Sequence, residues 1–270
     1  MAINYASKYA QKIDEKFARE SMTSAAVNND YDFVGVKTVN VYSVPTAEMN
    51  DYSVSGTSRY GTPQEIENTV QEMTMTRDRS FTFTIDRGTY NDTQMSNAAL
   101  QRQIREVVVP EIDKYRFGKI CEGAKTTVTG KVTKANAYDA FLTGATTLIE
   151  NNVPLVGSCA FVSSDFYKNI KEDSSFIRNG DMSQEILIKG QVGTIDGIPL
   201  IVVPKSYFPE NVEFIITNQA ATTSPVKLSE YKIHDNPPGI NGWLVEGRVY
   251  YDAFVLENKK SAIYVFKTAE

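Results

Sequence analysis

Two strand-like runs separated by a long polar stretch constrain this chain more than any other feature. The runs are Val34–Val44 and Val70–Ile85, and the second alternates apolar and polar residues with the period of two typical of a β-strand. About 25 residues rich in Ser, Thr, Asn, Gly and Tyr separate them, far more than an ordinary hairpin connection needs. A two-stranded ribbon of this kind cannot bury both faces within its own domain. The pattern predicts a projecting element that contacts another molecule, and hence assembly rather than catalysis.

The tip of this ribbon, Pro45–Glu67, has the composition of an adaptable contact surface. Small polar residues surround tyrosine and arginine, the side chains that protein interfaces favour. Residues 45–90 carry seven acids and four arginines, a mixture that suits contacts between repeated subunits and also suits plain solubility. A disordered solvent loop remains the alternative. The candidate inter-subunit contacts in this region are Tyr52, Arg59, Tyr60, Arg77 and Arg79.

One very long helix is predicted after the ribbon. Apolar residues recur with an approximately helical period from Thr93 to Cys121, a length of about 43 Å at ~1.5 Å per residue. Pro110 lacks the amide hydrogen that a mid-helix residue donates, so we expect a bend there. Charged side chains in the second half of the helix predict a face in contact with water. They are Asp113, Lys114, Arg116 and Lys119.

An amphipathic helix is predicted ahead of the ribbon, over residues 4–20, because Tyr5 and Tyr9 begin an apolar stripe at helical spacing. Such a helix either packs on its own core or lies as an arm across a neighbour, and the segment alone favours neither. Tyr5 and Tyr9 are the candidate inter-subunit contacts of this arm. The polar composition of residues 21–33 predicts a connection that leads to the first strand.

The second half of the chain has the texture of an α/β domain. A helix is predicted over Tyr138–Ile149, and a short helix over Asp165–Lys171 begins with Ser163 or Ser164 as its cap. A tight turn at Ile195–Ile198 leads into a strand. Strands are predicted at Ala160–Val162, Leu200–Val203 and Val212–Thr217. Long antiparallel strands are predicted at Leu244–Leu256 and Ala262–Phe266, joined through Glu257–Lys260.

Composition argues against several classes of function. The formal charge is −5, so the chain lacks the basic footprint of a nucleic-acid-binding protein. Residues 1–30 hold four basic and four acidic side chains, unlike the cationic tails that condense a genome. No apolar stretch approaches the ~20 residues that span a bilayer, and no signal peptide is evident. We therefore expect no membrane association and a cytoplasmic site of synthesis.

The search for a reaction finds no supported site. Cys121 and Cys159 are far apart and fit no metal-binding spacing, so buried, unreactive thiols are expected, and neither a metal nor another cofactor is predicted. His234 lies beside Asp235 in a region read as a proline-rich loop, and adjacency in sequence does not make a catalytic dyad. Gly190, Gly193 and Gly197 lack the following Lys-Ser/Thr of a phosphate-binding loop. No catalytic residue is predicted.

Four segments of the chain, in order, resemble the major capsid proteins of tailed bacteriophages, the Hong Kong ninety-seven type of coat fold. Residues 105–115, REVVVPEIDKY, are similar to the family's spine helix, and 247–256, GRVYYDAFVL, followed by NKK at 258–260, to its closing strands. Between them, residues 162–167, VSSDFY, and 193–199, GTIDGIP, are similar to family segments. Each motif is weak alone, but the ordered set spans nearly the whole chain.

The resemblance implies an α+β architecture in four parts. Residues 1–33 would form an N-terminal arm, and residues 34–90 an extended β-hairpin loop that overlaps a neighbouring subunit. Residues 91–130 and 236–270 would form a peripheral domain with the spine helix and a long sheet. Residues 131–235 would form the axial α/β domain.

The resemblance also implies a function: a coat protein that assembles into pentamers and hexamers of an icosahedral shell and packages double-stranded DNA without sequence-specific binding. Its place would be the virion, after assembly in the host bacterial cytoplasm. If Met1 is the natural start, the scaffolding segment of many members is absent, which implies a separate scaffolding protein alongside a portal. The tip Pro45–Glu67 has no lysine, so the family's lysine–asparagine crosslink is not expected.

Three alternatives stay open at this point. An encapsulin-like nanocompartment shell shares the fold, and only its contents and genome neighbours separate it from a virus coat. A phage tail or adaptor protein would form rings or tubes. A monomeric hydrolase with an unrecognised site would stay at ~30 kDa under all conditions.

Overall fold

The computed structural model describes residues 21–31, 33, 37–44, 46–63, 65–87, 93–173 and 191–269. The α-helices are α1 (Thr93–Gln103), α2 (Val109–Gly123), α3 (Ala137–Glu150) and α4 (Ser164–Glu172), with a π-helical segment at Ile104–Val108 between α1 and α2. Short 3-10 turns cover Met22–Ala26, Lys205–Tyr207, Gln219–Ala221 and Glu257–Ala262. The predicted helix over residues 4–20 lies outside the described residues.

The predicted ribbon is confirmed: β1 (Thr38–Ser43) pairs antiparallel with β2 (Thr69–Thr74), with Thr38 opposite Thr74 and Ser43 opposite Thr69. The second predicted run is divided, because the chain leaves this ladder after Thr74 and starts a new strand, β3 (Arg77–Asp86). Strand β3 joins a different sheet, in the order β10 (Val226–Asp235), β11 (Gly242–Tyr251), β3. The apolar side of this sheet packs against the long helix.

A mixed six-stranded sheet forms the other large layer of the molecule. Its strands, in chain order, are β4 (Thr126–Gly130), β5 (Ser158–Ser163), β6 (Gln191–Ile195), β7 (Ile198–Val203), β8 (Val212–Asn218) and β13 (Ile263–Thr268). Their spatial order is β4-β13-β8-β5-β7-β6. Two short strands, β9 (Thr222–Thr223) and β12 (Phe254–Val255), pair with each other. The last strand, β13, lies between β4 and β8, so the sequence order and the spatial order of the strands differ.

Three apolar clusters hold these layers together. The largest lies on the six-stranded sheet and includes Phe117 of α2, Phe141 of α3 and Phe166 of α4. A second joins α1, the π-helical segment and α2 to the three-stranded sheet. A third, containing Met73 and Met75, lies at the base of the ribbon. The long helix contributes to the first two clusters, so it links the sheets.

Local predictions in the second half are confirmed at several points. Ser163 is the cap of α4, because its Oγ accepts a hydrogen bond from the backbone N–H of Phe166 at 3.0 Å. Asp196 and Gly197 both have positive φ, of 49° and 80°, as a tight turn between β6 and β7 requires. The strand at Val212–Asn218 is fully buried, as its apolar run predicts.

Three expectations are wrong. The two C-terminal strands do not pair, since β11 lies in the three-stranded sheet and β13 in the six-stranded sheet. His234 and Asp235 end strand β10 and are not part of a loop. Asp113 and Arg116 do not face water: they are 1% and 6% exposed. The reason in each case is the tertiary partner, which a local pattern does not contain.

Candidate assembly interface

The base of the ribbon is fixed tightly to the body of the same chain. Met73 and Met75 are fully buried in an apolar cluster with Phe33 and Leu256. Gln71 accepts from the backbone N–H of Glu257 at 3.0 Å and donates to the carbonyl of Val255 at 2.9 Å. The ribbon therefore starts from a rigid support, which sets the direction in which its far end extends.

The two residues between β2 and β3 complete this support. The N–H of Thr76 donates to Oδ2 of Asp252 at 2.8 Å, and its hydroxyl donates to the same oxygen at 3.1 Å. The hydroxyl of Tyr250 donates to the carbonyl of Met75 at 2.8 Å. These bonds hold the chain where it passes from the ribbon to the three-stranded sheet.

The tip of the ribbon has local order of its own. The Tyr52 and Tyr60 rings meet edge to face, with centroids 5.3 Å apart. The N–H of Ser53 donates to the carbonyl of Arg59 at 3.0 Å, and the Arg59 Nε donates to the carbonyl of Gly56 at 3.3 Å. The structure thus brings the three predicted tip residues together in one small turn. Because this turn is already ordered, it loses less conformational entropy on binding a partner than an unstructured loop does.

Exposed apolar side chains are concentrated on the ribbon. Across the described residues, eight of the thirteen large exposed apolar side chains lie on the ribbon, in its two strands or in the connection between them. They are Tyr42, Val44, Met49, Tyr52, Val54, Tyr60, Ile66 and Val70. Met49 is 98% exposed and Tyr60 is 84% exposed. Apolar surface gathered on one projecting element marks a contact site, whereas scattered exposed residues would need no explanation.

Arg77 and Arg79 lie apart from the tip and close to the long helix. Arg79 Nε donates to Oε1 of Glu111 at 2.7 Å, and Arg77 Nη2 lies 3.6 Å from the same oxygen. The Arg77 guanidinium also lies 5.0 Å from the centre of the Tyr115 ring. One carboxylate thus faces two guanidinium groups, and Arg79 retains an exposed side chain. Their predicted contact with another subunit stays a prediction.

The long helix changes its hydrogen-bond pattern just before Pro110. The N–H of Val109 donates to the carbonyl of Ile104, five residues back, as in a π-helix. Pro110 then stands in the first turn of α2, where a missing N–H is tolerated. The chain is helical on both sides of the proline. The bend predicted at Pro110 stays a prediction, and the wider π-helical turn is the local feature that accompanies it.

Sequence reasoning missed the polar anchor where the segment after residues 1–20 meets the long helix. Oδ1 of Asp113 accepts from the hydroxyls of Ser21 and Thr23, both at 2.6 Å, and Oδ2 accepts from the N–H of Met22 at 2.9 Å. The spacing of Asp113 and Arg116 by three residues, between buried Ile112 and Phe117, was the available signal. Tyr5 and Tyr9 lie outside the described residues.

Neither a cluster of metal-ligating side chains nor a membrane-spanning helix is found in the described residues. Within them, no group of three or more His, Cys, Asp or Glu side chains could hold an ion. No helix in the described ranges is both long and apolar enough to cross a bilayer. Burial raises the pKa of Cys121 and of Cys159 to about 12, so both thiols stay protonated near neutral pH.

Solved phage structures share this fold over most of its length. A chain from Mycobacterium phage Che8 matches with a TM-score of 0.70 and 18% identity, covering 93% of this chain and 90% of that chain. The capsid structure of cyanophage P-SCSP1u matches with a TM-score of 0.69 and 12% identity, covering 93% and 88%. The mature capsid of bacteriophage PhiM1 matches with a TM-score of 0.65 and 9% identity, covering 94% and 87%. No known protein-family profile matches, and no curated protein matches in sequence.

The expected fold is confirmed by this agreement. The chain has the mixed α+β coat fold of phage capsid structures over most of its length. Identities this low establish the fold alone. The division into an arm, an extended loop, a peripheral domain and an axial domain stays a prediction.

Proposed function

We propose that this chain is a phage major capsid protein whose function is closed self-assembly. Copies would form pentamers and hexamers, and these would close into an icosahedral shell around double-stranded DNA. The observation that supports this most directly is the ribbon: its base is fixed by buried methionines, while its tip presents exposed apolar and aromatic side chains. Exposed apolar surface of this kind is stabilised by burial against a partner. Because the fold is shared with capsid structures, we take that partner to be a second copy of the chain.

The proposed contacts follow from the geometry of the ribbon. Tyr52, Arg59 and Tyr60 would lie against the neighbouring subunit, where burial of aromatic rings supplies most of the binding energy. Arg79 would use its exposed guanidinium at the rim. Tyr5 and Tyr9 of the arm would add further contacts. Because each subunit makes many contacts, each one can be weak while the closed shell remains stable.

The expected partners follow from the same proposal. An acidic chain with a formal charge of −5 suits a shell that DNA enters under force rather than one that binds DNA by charge. A separate scaffolding protein and a portal would direct assembly in the host bacterial cytoplasm. The π-helical segment and Pro110 would absorb any change in subunit packing as the shell matures.

Deletion of residues 50–61 tests the ribbon directly. We expect a folded subunit with an unchanged far-ultraviolet spectrum apart from the lost residues, but a large loss of closed shells by electron microscopy. Val156→Ser is the matched control, because Val156 is also highly exposed, at 90%, but lies away from the ribbon. Shells of unchanged yield and size from the deleted chain would contradict the proposed role.

Imaging of the unaltered protein tests the broader proposal. DNA-filled heads with fivefold and sixfold clusters are expected from infected cells. Small shells filled with protein would indicate a nanocompartment, and rings or tubes would indicate a tail or adaptor component. A stable ~30 kDa species under all conditions would contradict assembly altogether.

A further inference from the structure

A buried polar network joins residues 21–23, in the predicted N-terminal arm, to the base of the ribbon. It starts at Asp113, on the buried side of α2, which binds Ser21, Met22 and Thr23 as described above. It ends at Asp252, which binds Thr76 between β2 and β3. These two ends are far apart in sequence and meet only through the fold.

Arg116 and Ser224 connect the two ends. Arg116 Nη1 donates to the hydroxyls of Thr23 at 3.0 Å and Ser21 at 3.2 Å, and its Nε donates to the hydroxyl of Ser224 at 2.8 Å. The Ser224 hydroxyl in turn donates to the backbone carbonyl of Asp252 at 2.9 Å. Each link is a hydrogen bond between buried groups, so water competes little for any of them.

The helix supplies a second link between the same ends. Tyr115 donates its hydroxyl hydrogen to Oδ1 of Asp252 at 2.7 Å. Because Asp113, Tyr115 and Arg116 lie within one turn of α2, the helix contacts both ends of the network at once. Residue 28 of the same predicted arm is also joined to the region of Ser224 by backbone bonds, since Asn28 forms a bridge with Thr223.

The charges in this network have little freedom to relax. Arg116 Nη1 lies 3.9 Å from Oδ1 of Asp113, and both side chains are buried. Burial lowers the pKa of Arg116, and the nearby Asp113 carboxylate opposes that shift. Loss of one buried partner leaves the other charge uncompensated, which is far costlier than loss of a surface pair. Disturbance at one end is therefore expected to move the groups bound at the other.

We infer that Asp113, Arg116, Ser224 and Asp252 act as positioning residues that couple residues 21–23 of the predicted N-terminal arm to the base of the ribbon. Under the proposed function, on which the meaning of this coupling rests, the two elements that contact neighbouring subunits do not respond independently. Displacement of the arm loosens the ribbon support, and displacement of the ribbon loosens the arm. By linkage the effect is reciprocal, with the same factor in both directions.

Amide hydrogen exchange on the unassembled full-length chain tests the coupling. The N–H of Met22 bonds to Asp113, and the N–H of Thr76 bonds to Asp252, so each amide reports on one end. In Asp113→Asn we expect exchange at Thr76 to be at least about threefold faster, although residue 113 does not contact Thr76. In Asp252→Asn we expect exchange at the Met22 amide to be faster as well, although residue 252 does not contact Met22.

Glu213→Gln is the matched control. Glu213 is also a buried carboxylate, and it accepts from the hydroxyls of Ser163 at 2.6 Å and Thr268 at 2.9 Å on the six-stranded sheet, outside the network. It should leave exchange at Met22 and at Thr76 unchanged. Acceleration confined to Met22 in Asp113→Asn would overturn the coupling, and so would equal acceleration by Glu213→Gln.

Ser224→Ala keeps the test decisive if either carboxylate variant fails to fold. This change removes one hydroxyl and retains every charge, and we expect both amides to accelerate. Acceleration of only one of them, or of neither, would overturn the inference. Exchange is measured on the unassembled chain, so failure of the coupling would not contradict shell formation. Conversely, absence of shells from the unaltered protein would contradict the proposed function but not the coupling.

Discussion

The hydroxyl of Tyr115 lies 2.7 Å from Oδ1 of Asp252, a residue 137 positions later in the chain. Burial, reinforced by this hydrogen bond, raises the pKa of Tyr115 well above its ordinary value, so the phenol stays a donor throughout the working pH range. Asp252 uses its other oxygen to bind Thr76 at the ribbon base. A single carboxylate thus holds the long helix and the ribbon together.

Tyr115→Phe should destabilise the subunit by about 1–2 kcal/mol, because an Asp252 oxygen loses its phenol donor while the ring packing against Tyr251 is kept. Urea denaturation of the unassembled chain measures the change. Tyr42→Phe is the control, since Tyr42 is an exposed ribbon residue and its replacement should have an effect within about 0.5 kcal/mol. Equal effects of the two changes would contradict a structural role for the Tyr115 hydroxyl.

Two glycines offer a matched test of close backbone packing. A Cβ at Gly242 would lie 2.1 Å from the carbonyl oxygen of Ile85 in the adjacent strand, which is backbone and cannot yield. Gly242→Ala should therefore cost about 1–3 kcal/mol or more. At Gly118, in α2, a Cβ would meet no heavy atom within 4 Å apart from its chain neighbours and the nearby backbone of its own helix.

Gly118→Ala should instead stabilise the helix, by about 0.5–1 kcal/mol. Thermal or urea denaturation of both variants gives the comparison. If Gly242→Ala were as stable as the unaltered protein, the observed register of β11 against β3 would be wrong.

The tip aromatic pair should matter for assembly and little for folding. Tyr52→Ala combined with Tyr60→Ala removes two exposed rings, so the free energy of unfolding of the isolated subunit should change by less than about 1 kcal/mol. Shell yield should fall by at least about tenfold if the two rings are hot spots. Sedimentation velocity separates closed shells from unassembled subunits and so measures the yield of shells. A normal yield of shells would place the main contact elsewhere.

The two cysteines should be inert in the folded chain. Their pKa values of about 12, with Cys159 buried and Cys121 partly buried, predict negligible reaction with a thiol reagent at pH 8, and rapid reaction once guanidinium unfolds the chain. Cys121→Ser and Cys159→Ser, measured separately, assign the signal to each thiol. Fast labelling of the folded chain would show that the region around the labelled thiol opens.

The same thiols predict a dependence of stability on pH. In the unfolded chain a thiol ionises near pH 9, whereas in the folded chain it stays protonated to about pH 12. Since the folded pKa is raised, this contribution to stability is complete below pH 9 and is lost as the pH rises toward 12. Replacement of both cysteines by serine should flatten this part of the curve measured by urea denaturation.

Several expectations that depended on local pattern agree with the structure. The alternation around Val70 produced the ribbon, the helical period from Thr93 produced a continuous helical rod, and Ser163 serves as a cap. These features need only neighbours within a few residues, so their physics is present in any short window of the chain. The exposed tip was also foreseeable, because a long polar connection between strands has no room in a core.

The periodicity of the strands and helices, the lack of a long apolar span and the polar, tyrosine-bearing tip can all be read from the order of the residues alone. Three features come from the packing of distant segments. Asp113 and Arg116 are buried, β11 and β13 belong to different sheets, and Asp252 binds both Thr76 and Tyr115. The two groups of features differ in how far along the chain their interactions extend. Periodicity is set by chain geometry over a few residues, whereas burial of a charge depends on which distant groups can pay its desolvation with hydrogen bonds.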